Sequence, residues 1–149
     1  METTIVASNR KAYHLYHILE TFDAGIELMG SEVKSIREGK VSLKESYVFI
    51  REGEAWLKGV HIAAYSHTGS EGHEPVRNRK LLLHKREIRK IGANLAEKGL
   101  TAIPTKLYLK GGWVKLEFGL AKGKRLYDKR DTKKKRDMER DIQRALSRE

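Results

Sequence analysis

The sequence predicts a β-rich α+β domain, an antiparallel sheet curled into a small barrel and flanked by helices, with a basic tail at its C-terminus. Three observations predict it. After Gly111-Gly112, the residues Val114, Leu116, Phe118 and Leu120 alternate with Lys115, Glu117 and Gly119, as in a hairpin strand with one buried face. Only two segments carry helical spacing, and they do not alternate with strands in the order a parallel sheet requires. Residues 122–149 hold twelve Lys or Arg and six Asp or Glu beside six apolar residues, too little to bury for independent folding.

In chain order, Asn9-Arg10-Lys11-Ala12-Tyr13-His14 is a short basic entry segment before a β-like run over 15–22. Tyr16 and Ile18 face one way in that run, Leu15 and Leu19 the other. Asp23-Ala24-Gly25 predicts a turn, after which Ile26 and Leu28 resume the run. Residues 30–39 predict a short helix with Ser31 as N-cap, Glu32 at its positive end and Gly39 as terminator. Met29, Val33 and Ile36 would face the core, leaving Lys34 and Arg37 on an outer face that spacing alone reads as solvated surface.

Residues 47–50 and 55–60 predict a hairpin joined through Arg51-Glu52-Gly53-Glu54, with residues 61–65 extending its second strand. Residues 66–74 contain no apolar side chain and read as a loop. Leu81-Leu82-Leu83 follows, and a strand that alternates its faces cannot bury all three, so at least one is covered by the next helix or exposed to a partner. Ile88, Ile91 and Leu95 mark an amphipathic helix over 84–98, with Lys85, Arg86, Arg89 and Lys90 outside and Gly99 as its stop. The last hairpin joins 107–110 to 113–120. Trp56 and Trp113 are expected in the core.

Composition narrows the function. The 149 residues suit one domain, divided here into a barrel over 1–121 and a tail over 122–149. The net charge of +11 is split between +5 on the barrel and +6 on the tail, which points to a polyanion as partner. There is no cysteine, so disulfides, thiolate metal sites and cysteine nucleophiles are excluded. No apolar run approaches the roughly 18 to 20 residues of a membrane span, and no secretory leader is visible, so a cytoplasmic protein without membrane association is expected.

Catalytic chemistry has no evident seat. Gly119-x3-Gly123-Lys124-Arg125 is one residue short of a phosphate-binding loop and has Arg125 where Ser or Thr would hold magnesium. His14, His17, His61, His67, His73 and His84 are scattered without the spacing of a zinc protease, so no metal, cofactor or catalytic residue is assigned. Basic segments at Asn9 to Lys11, Arg77 to Lys80, Lys85 to Lys90 and from Lys122 onward favour RNA. Aromatic residues on β-like runs can stack bases, although such residues more often fill a core.

Asn9-Arg10-Lys11-Ala12, Asp23-Ala24-Gly25-Ile26, Glu32-Val33-Lys34-Ser35, Arg77-Asn78-Arg79-Lys80-Leu81-Leu82-Leu83, Leu120-Ala121-Lys122-Gly123-Lys124 and Tyr127-Asp128-Lys129-Arg130 together resemble the small protein B, or SsrA-binding protein, family. The resemblance implies an oligonucleotide-binding-type β-barrel with flanking helices and a flexible basic C-terminal tail. It implies a monomeric, non-catalytic adaptor that binds the tRNA-like domain of transfer-messenger RNA and carries it to the A site of stalled ribosomes. Alanyl-tRNA synthetase and the elongation factor Tu complex would be indirect partners.

By matching motif, the implied RNA-binding residues are Asn9, Arg10, Lys11, Asp23, Lys34, Arg77, Arg79, Lys80 and Leu82. Asp23 stands where the family more often has glutamate. The implied ribosome contacts are His14, Tyr47, Lys122, Lys124, Arg125, Tyr127, Asp128, Lys129, Arg130, Lys133, Lys134, Lys135 and Arg136, directed to the small-subunit decoding centre and the messenger channel. The tail would fold there as a helix, and its own residues offer a reason. Met138, Ile142, Ala145 and Leu146 form a helical stripe, and Asp137 with Arg140 and Asp141 with Arg144 are spaced for pairs worth about 0.2 to 0.5 kcal/mol each. On the residues alone, a ribosomal or general RNA-binding barrel remains an alternative, and an RNA-processing enzyme is disfavoured.

Overall fold

The computed structural model of the protein describes residues 2–64 and 73–124. Among the described residues, nine strands and three helices follow in the order β1 (Thr3–Ser8), α1 (Arg10–Leu15), β2 (Tyr16–Ile26), α2 (Gly30–Arg37), β3 (Val41–Ser42), β4 (Tyr47–Arg51), β5 (Glu54–Lys58), β6 (His61–Ile62), β7 (Arg79–Leu82), α3 (Lys85–Glu97), β8 (Thr101–Lys110) and β9 (Trp113–Gly123). The main sheet runs β1-β8-β4-β5-β7-β2-β9, and β8 also pairs with β9. That pairing closes six antiparallel strands into the expected barrel. β1 extends it along residues 106–110 of β8, beyond the point where Val48 of β4 meets Ala102.

Both hairpin turns have the geometry their residues favour. Glu52 and Gly53 (φ 53° and 75°) and Gly111 and Gly112 (φ 56° and 85°) all lie in the left-handed region, as a two-residue turn matched to strand twist requires. The alternation in β9 is observed: Val114, Leu116, Phe118 and Leu120 are all buried. Phe118 stacks on Phe22 of β2 at 5.6 Å between ring centroids, and Ile36 of α2 with Ile88 and Ile91 of α3 joins the same core. Each such side chain contributes about 1.5–3 kcal/mol when fully buried. A smaller cluster of Ala12, Ile103 and Ala121 seats α1.

Several elements differ from expectation. Residues 23–25 do not turn: β2 is continuous, with Asp23, Ala24 and Gly25 opposite Glu117, Leu116 and Lys115 of β9. Ladder partners on both edges of β2 override the local turn preference. β1 and α1 carry weak local signals, since β1 is a largely exposed edge strand and α1 has six residues, of which Ala12 is buried. Leu15 ends α1 rather than beginning a strand. α2 starts earlier than expected, with Met29 as its N-cap and 46% exposed; Glu32 Oε1 accepts the Met29 N–H at 2.7 Å, and Ser31 caps nothing.

The second strand of the first hairpin stops at Lys58. Gly59 (φ +85°) turns the chain where a Cβ would lie 2.6 Å from the Glu45 carbonyl oxygen, and His61–Ile62 then pairs with Val41–Ser42 in a separate two-stranded sheet. Trp113 is 73% exposed and Trp56 half-buried, so neither is core. Both have outward parity, beside the inward Val114 and between the inward Ala55 and Leu57. Lys122 and Gly123, expected in the tail, complete β9 opposite His17 and Tyr16. Of the expected loop, 66–72 lies outside the described residues, as does the tail from 125 onward; His73 is buried.

Candidate RNA-binding face

The site is built by strand register. β2 and β7 pair Gly25 with Leu82 and Ile26 with Leu81, and the alternation sends Leu81 into the core at 1% exposure while Leu82 stands out at 51%. Gly25 makes room for Leu82, because a Cβ there would come within 3.3 Å of the Leu82 Cβ. Asp23, Gly25, Lys80, Leu82, His84 and Lys115 line one depression of about 500 Å³. An apolar knob flanked by a carboxylate and lysines suits the ribose and base faces of RNA beside its phosphates.

Asp23 is oriented from behind. The Tyr108 hydroxyl of β8 donates to Asp23 Oδ1 at 2.8 Å. Burial, then the Asp23 hydrogen bond and the nearby negative charges of Asp23 and Glu117, push the Tyr108 phenol up to about 12, so it remains a donor at neutral pH. A carboxylate has two oxygens, so one holds the phenol while the other can accept from a ribose or base. Lys80 pairs with Glu54 at 3.6 Å.

α1 extends this face. Arg10 and Tyr13 share a depression with Lys106 and Glu117, and Glu117 lies in register with Asp23. Arg10 and Lys11 are exposed. Asn9, expected on the RNA surface, is instead only 8% exposed; its Nδ2 donates to the carbonyls of Pro104 (3.0 Å) and Leu43 (3.5 Å), and its N–H donates to Thr105 O at 2.8 Å. It secures the bulge of β8 at Thr105, a positioning role.

Arg79, also expected on the RNA surface, is likewise placed inside. It is fully buried, with Nε on Glu32 Oε2 at 2.5 Å and its two terminal nitrogens on Val60 O (2.9 Å) and Pro75 O (3.0 Å). Its guanidinium is therefore closed off from the surface. Arg77, partly exposed, donates to both oxygens of the same Glu32. Burial alone would raise the Glu32 pKa, but hydrogen bonds from Arg77, the Met29 N–H and Arg79 together hold it below the usual carboxylate value. Burial pulls Arg79 below the ordinary arginine value, with Glu32 pulling it back up. The cluster clamps the approach to β7 against α2, with His73 bonded to Ser31 Oγ and Ile62 O at 2.8 Å each.

The remaining expected residues are spread more widely. Lys34 is exposed on α2, and Tyr47, 39% exposed, lies on β4 with β5 between it and β7. His14 is half-buried in α1. Lys124 ties the end of β9 to α1, donating from its backbone to Leu15 O (2.9 Å) and from Nζ to Tyr13 O (2.8 Å). Arg125, Tyr127, Asp128, Lys129, Arg130, Lys133, Lys134, Lys135 and Arg136 lie outside the described residues. Tyr108, Lys106 and Lys115 escaped sequence reasoning; the outward parity of Lys115 was the available signal. Among the described residues no group of His, Cys, Asp or Glu is arranged to hold a metal, and no helix is long and apolar enough to cross a membrane.

The chain is similar to known proteins over nearly its whole length. A family model described as SmpB protein matches residues 6–148. The SsrA-binding protein of Gloeothece citriformis is 54% identical over 148 residues, covering 99% of this chain and 96% of that one. The SsrA-binding protein of Carboxydothermus hydrogenoformans is 56% identical over 142 residues, 95% of each chain. A solved chain described under tmRNA-SmpB and a journey to the center of the bacterial ribosome superposes with a TM-score of 0.68 at 45% identity, over 80% of this chain and 84% of that one. With matches of this extent and identity over the same barrel, the chain belongs to the SmpB protein family.

Proposed function

We propose that this protein is the RNA-binding adaptor of trans-translation: it binds the tRNA-like domain of transfer-messenger RNA and delivers it to the A site of stalled ribosomes. The observation that carries the reading is Leu82, exposed beside Asp23 on the barrel of a chain that matches SsrA-binding proteins over nearly its whole length. Asp23, Lys80 and Leu82 make the central contact, with Arg10, Lys11, Lys34 and Arg77 drawing in phosphates around it. Asn9 and Arg79 act from beneath by fixing the strands that carry those residues.

The protein works in the cytoplasm as an adaptor and catalyses no reaction of its own. His14, Tyr47, Lys122 and Lys124 face the ribosome. The basic tail enters the vacant messenger path, where phosphate walls stabilise a helix too weakly apolar to persist alone. A messenger still in place excludes it. Competition at fixed salt between transfer-messenger RNA and bulk tRNA tests the reading: at least tenfold preference for transfer-messenger RNA is expected on the order-of-magnitude scale of specific recognition, and equal affinity would identify a general RNA-binding barrel instead.

A further inference from the structure

We propose that the outer face of the β4–β5 hairpin is a second RNA site, which takes an unpaired nucleobase against Phe49 and Trp56. The inference rests on the RNA-adaptor reading and adds a site to it. Val48, Ala55 and Leu57 are buried, so the alternation turns Tyr47, Phe49 and Trp56 outward. Phe49 lies directly across from Trp56, and the Tyr47 ring sits 6.2 Å from that of Phe49, tilted by 53°. An outward aromatic strip leaves ring surface in water, which is costly unless a flat partner covers it.

The surrounding groups select a base as that partner. Phe49, Trp56, Arg51, Glu52, Glu54 and Asn78 line a cleft of about 260 Å³. The Asn78 amide both donates and accepts, the Arg51 guanidinium donates, and the two carboxylates accept, which together match the mixed edge of a nucleobase. Glu52 repels a phosphate and Glu54 is paired with Lys80 at 3.6 Å, so the base enters and the backbone passes on the lysine side. Cations stand where the backbone would pass: Lys58 is opposite Tyr47, and Lys80 opposite Trp56. Lys80 and Glu54 also border the depression that holds Asp23 and Leu82, so one RNA can run from that face to the aromatic strip.

The test uses the full chain and a fluorescently labelled hexaadenylate RNA, read by anisotropy at a salt concentration that suppresses non-specific attraction to the tail. Phe49→Leu and Trp56→Leu should each weaken binding by about 5- to 150-fold, the range of one lost base–aromatic stack. Trp56→Phe should stay within about threefold because a stacking face remains. Circular dichroism melts establish that each variant is folded. Folded Phe49→Leu and Trp56→Leu variants binding within about twofold of the parent would overturn the site, as would a strip that serves a protein instead. Should a variant fail to fold, photocrosslinking of a 4-thiouridine hexanucleotide to the unmodified chain decides: crosslinks on β4 or β5 support the site, and crosslinks confined elsewhere remove it. Leu82→Glu assayed on the tRNA-like domain separates the two readings, since loss there with intact hexanucleotide binding in Trp56→Leu sinks the nucleobase site alone.

Discussion

Arg79 Nε donates to Glu32 Oε2 across 2.5 Å with both side chains fully buried, which joins strand β7 to helix α2 inside the protein. Removing Arg79 leaves the buried Glu32 with Arg77 as its ion-pair partner and takes the guanidinium donor from the Val60 and Pro75 carbonyls. Arg79→Met is expected to cost about 1–3 kcal/mol in urea unfolding. Its effect on RNA binding should vanish at temperatures where the variant is fully folded, because the buried guanidinium stabilises the fold and does not reach the surface.

The same pair gives a pH dependence. The Glu32 pKa is lowered in the folded protein, so its stabilisation is complete above the unfolded carboxylate value of about 4.3 and is lost as pH falls through the lower folded value. Stability from this group should therefore decline only below about pH 4.3. Acid titration followed by circular dichroism should show that decline in the parent, and Glu32→Gln should flatten it.

The contrast between adjacent leucines separates binding from folding. Leu82→Glu, at a position 51% exposed, should leave the melting temperature nearly unchanged and abolish binding to the tRNA-like domain. Leu81→Ala, at 1% exposure, should cost about 2–5 kcal/mol and spare binding by the fraction that remains folded. Unchanged binding by Leu82→Glu would remove the proposed contact surface.

Tyr108 offers a spectroscopic handle on Asp23. Among the six tyrosines, one should ionise near pH 12 in ultraviolet titration, and Tyr108→Phe should delete that step. Losing the donor frees the carboxylate to rotate, so affinity for the tRNA-like domain should fall about fivefold, the equivalent of one hydrogen bond near 1 kcal/mol.

The place where the tail is cut matters. Lys122 and Gly123 belong to β9, and Lys124 is bonded to Leu15 and Tyr13 of α1. Truncation after Lys124 should preserve the melting temperature and keep affinity for the tRNA-like domain within about threefold while abolishing peptide tagging on stalled ribosomes. Truncation after Ala121 should also lower the melting temperature, since it removes two ladder positions and the Lys124 tether.

The sequence by itself determined the barrel class, the β8–β9 hairpin, both helices with a core-facing stripe, and the family, because these rest on local alternation, glycine turns and contiguous motifs. It also required that at least one of Leu81, Leu82 and Leu83 leave the core. Parity could have placed Trp56 and Trp113 outside as well, against the general tendency of aromatic residues on such runs to fill a core. Only the tertiary structure decided that Asp23-Ala24-Gly25 is strand, since its ladder partners come from β7 and β9, far away in the chain. The same holds for the motif cations: Arg79 and Lys80 are neighbours in sequence, yet one is sealed against Glu32 and the other stands beside Leu82. A basic motif specifies charge, but which charge meets solvent is set by strand parity and by whether a distant carboxylate is present to receive it.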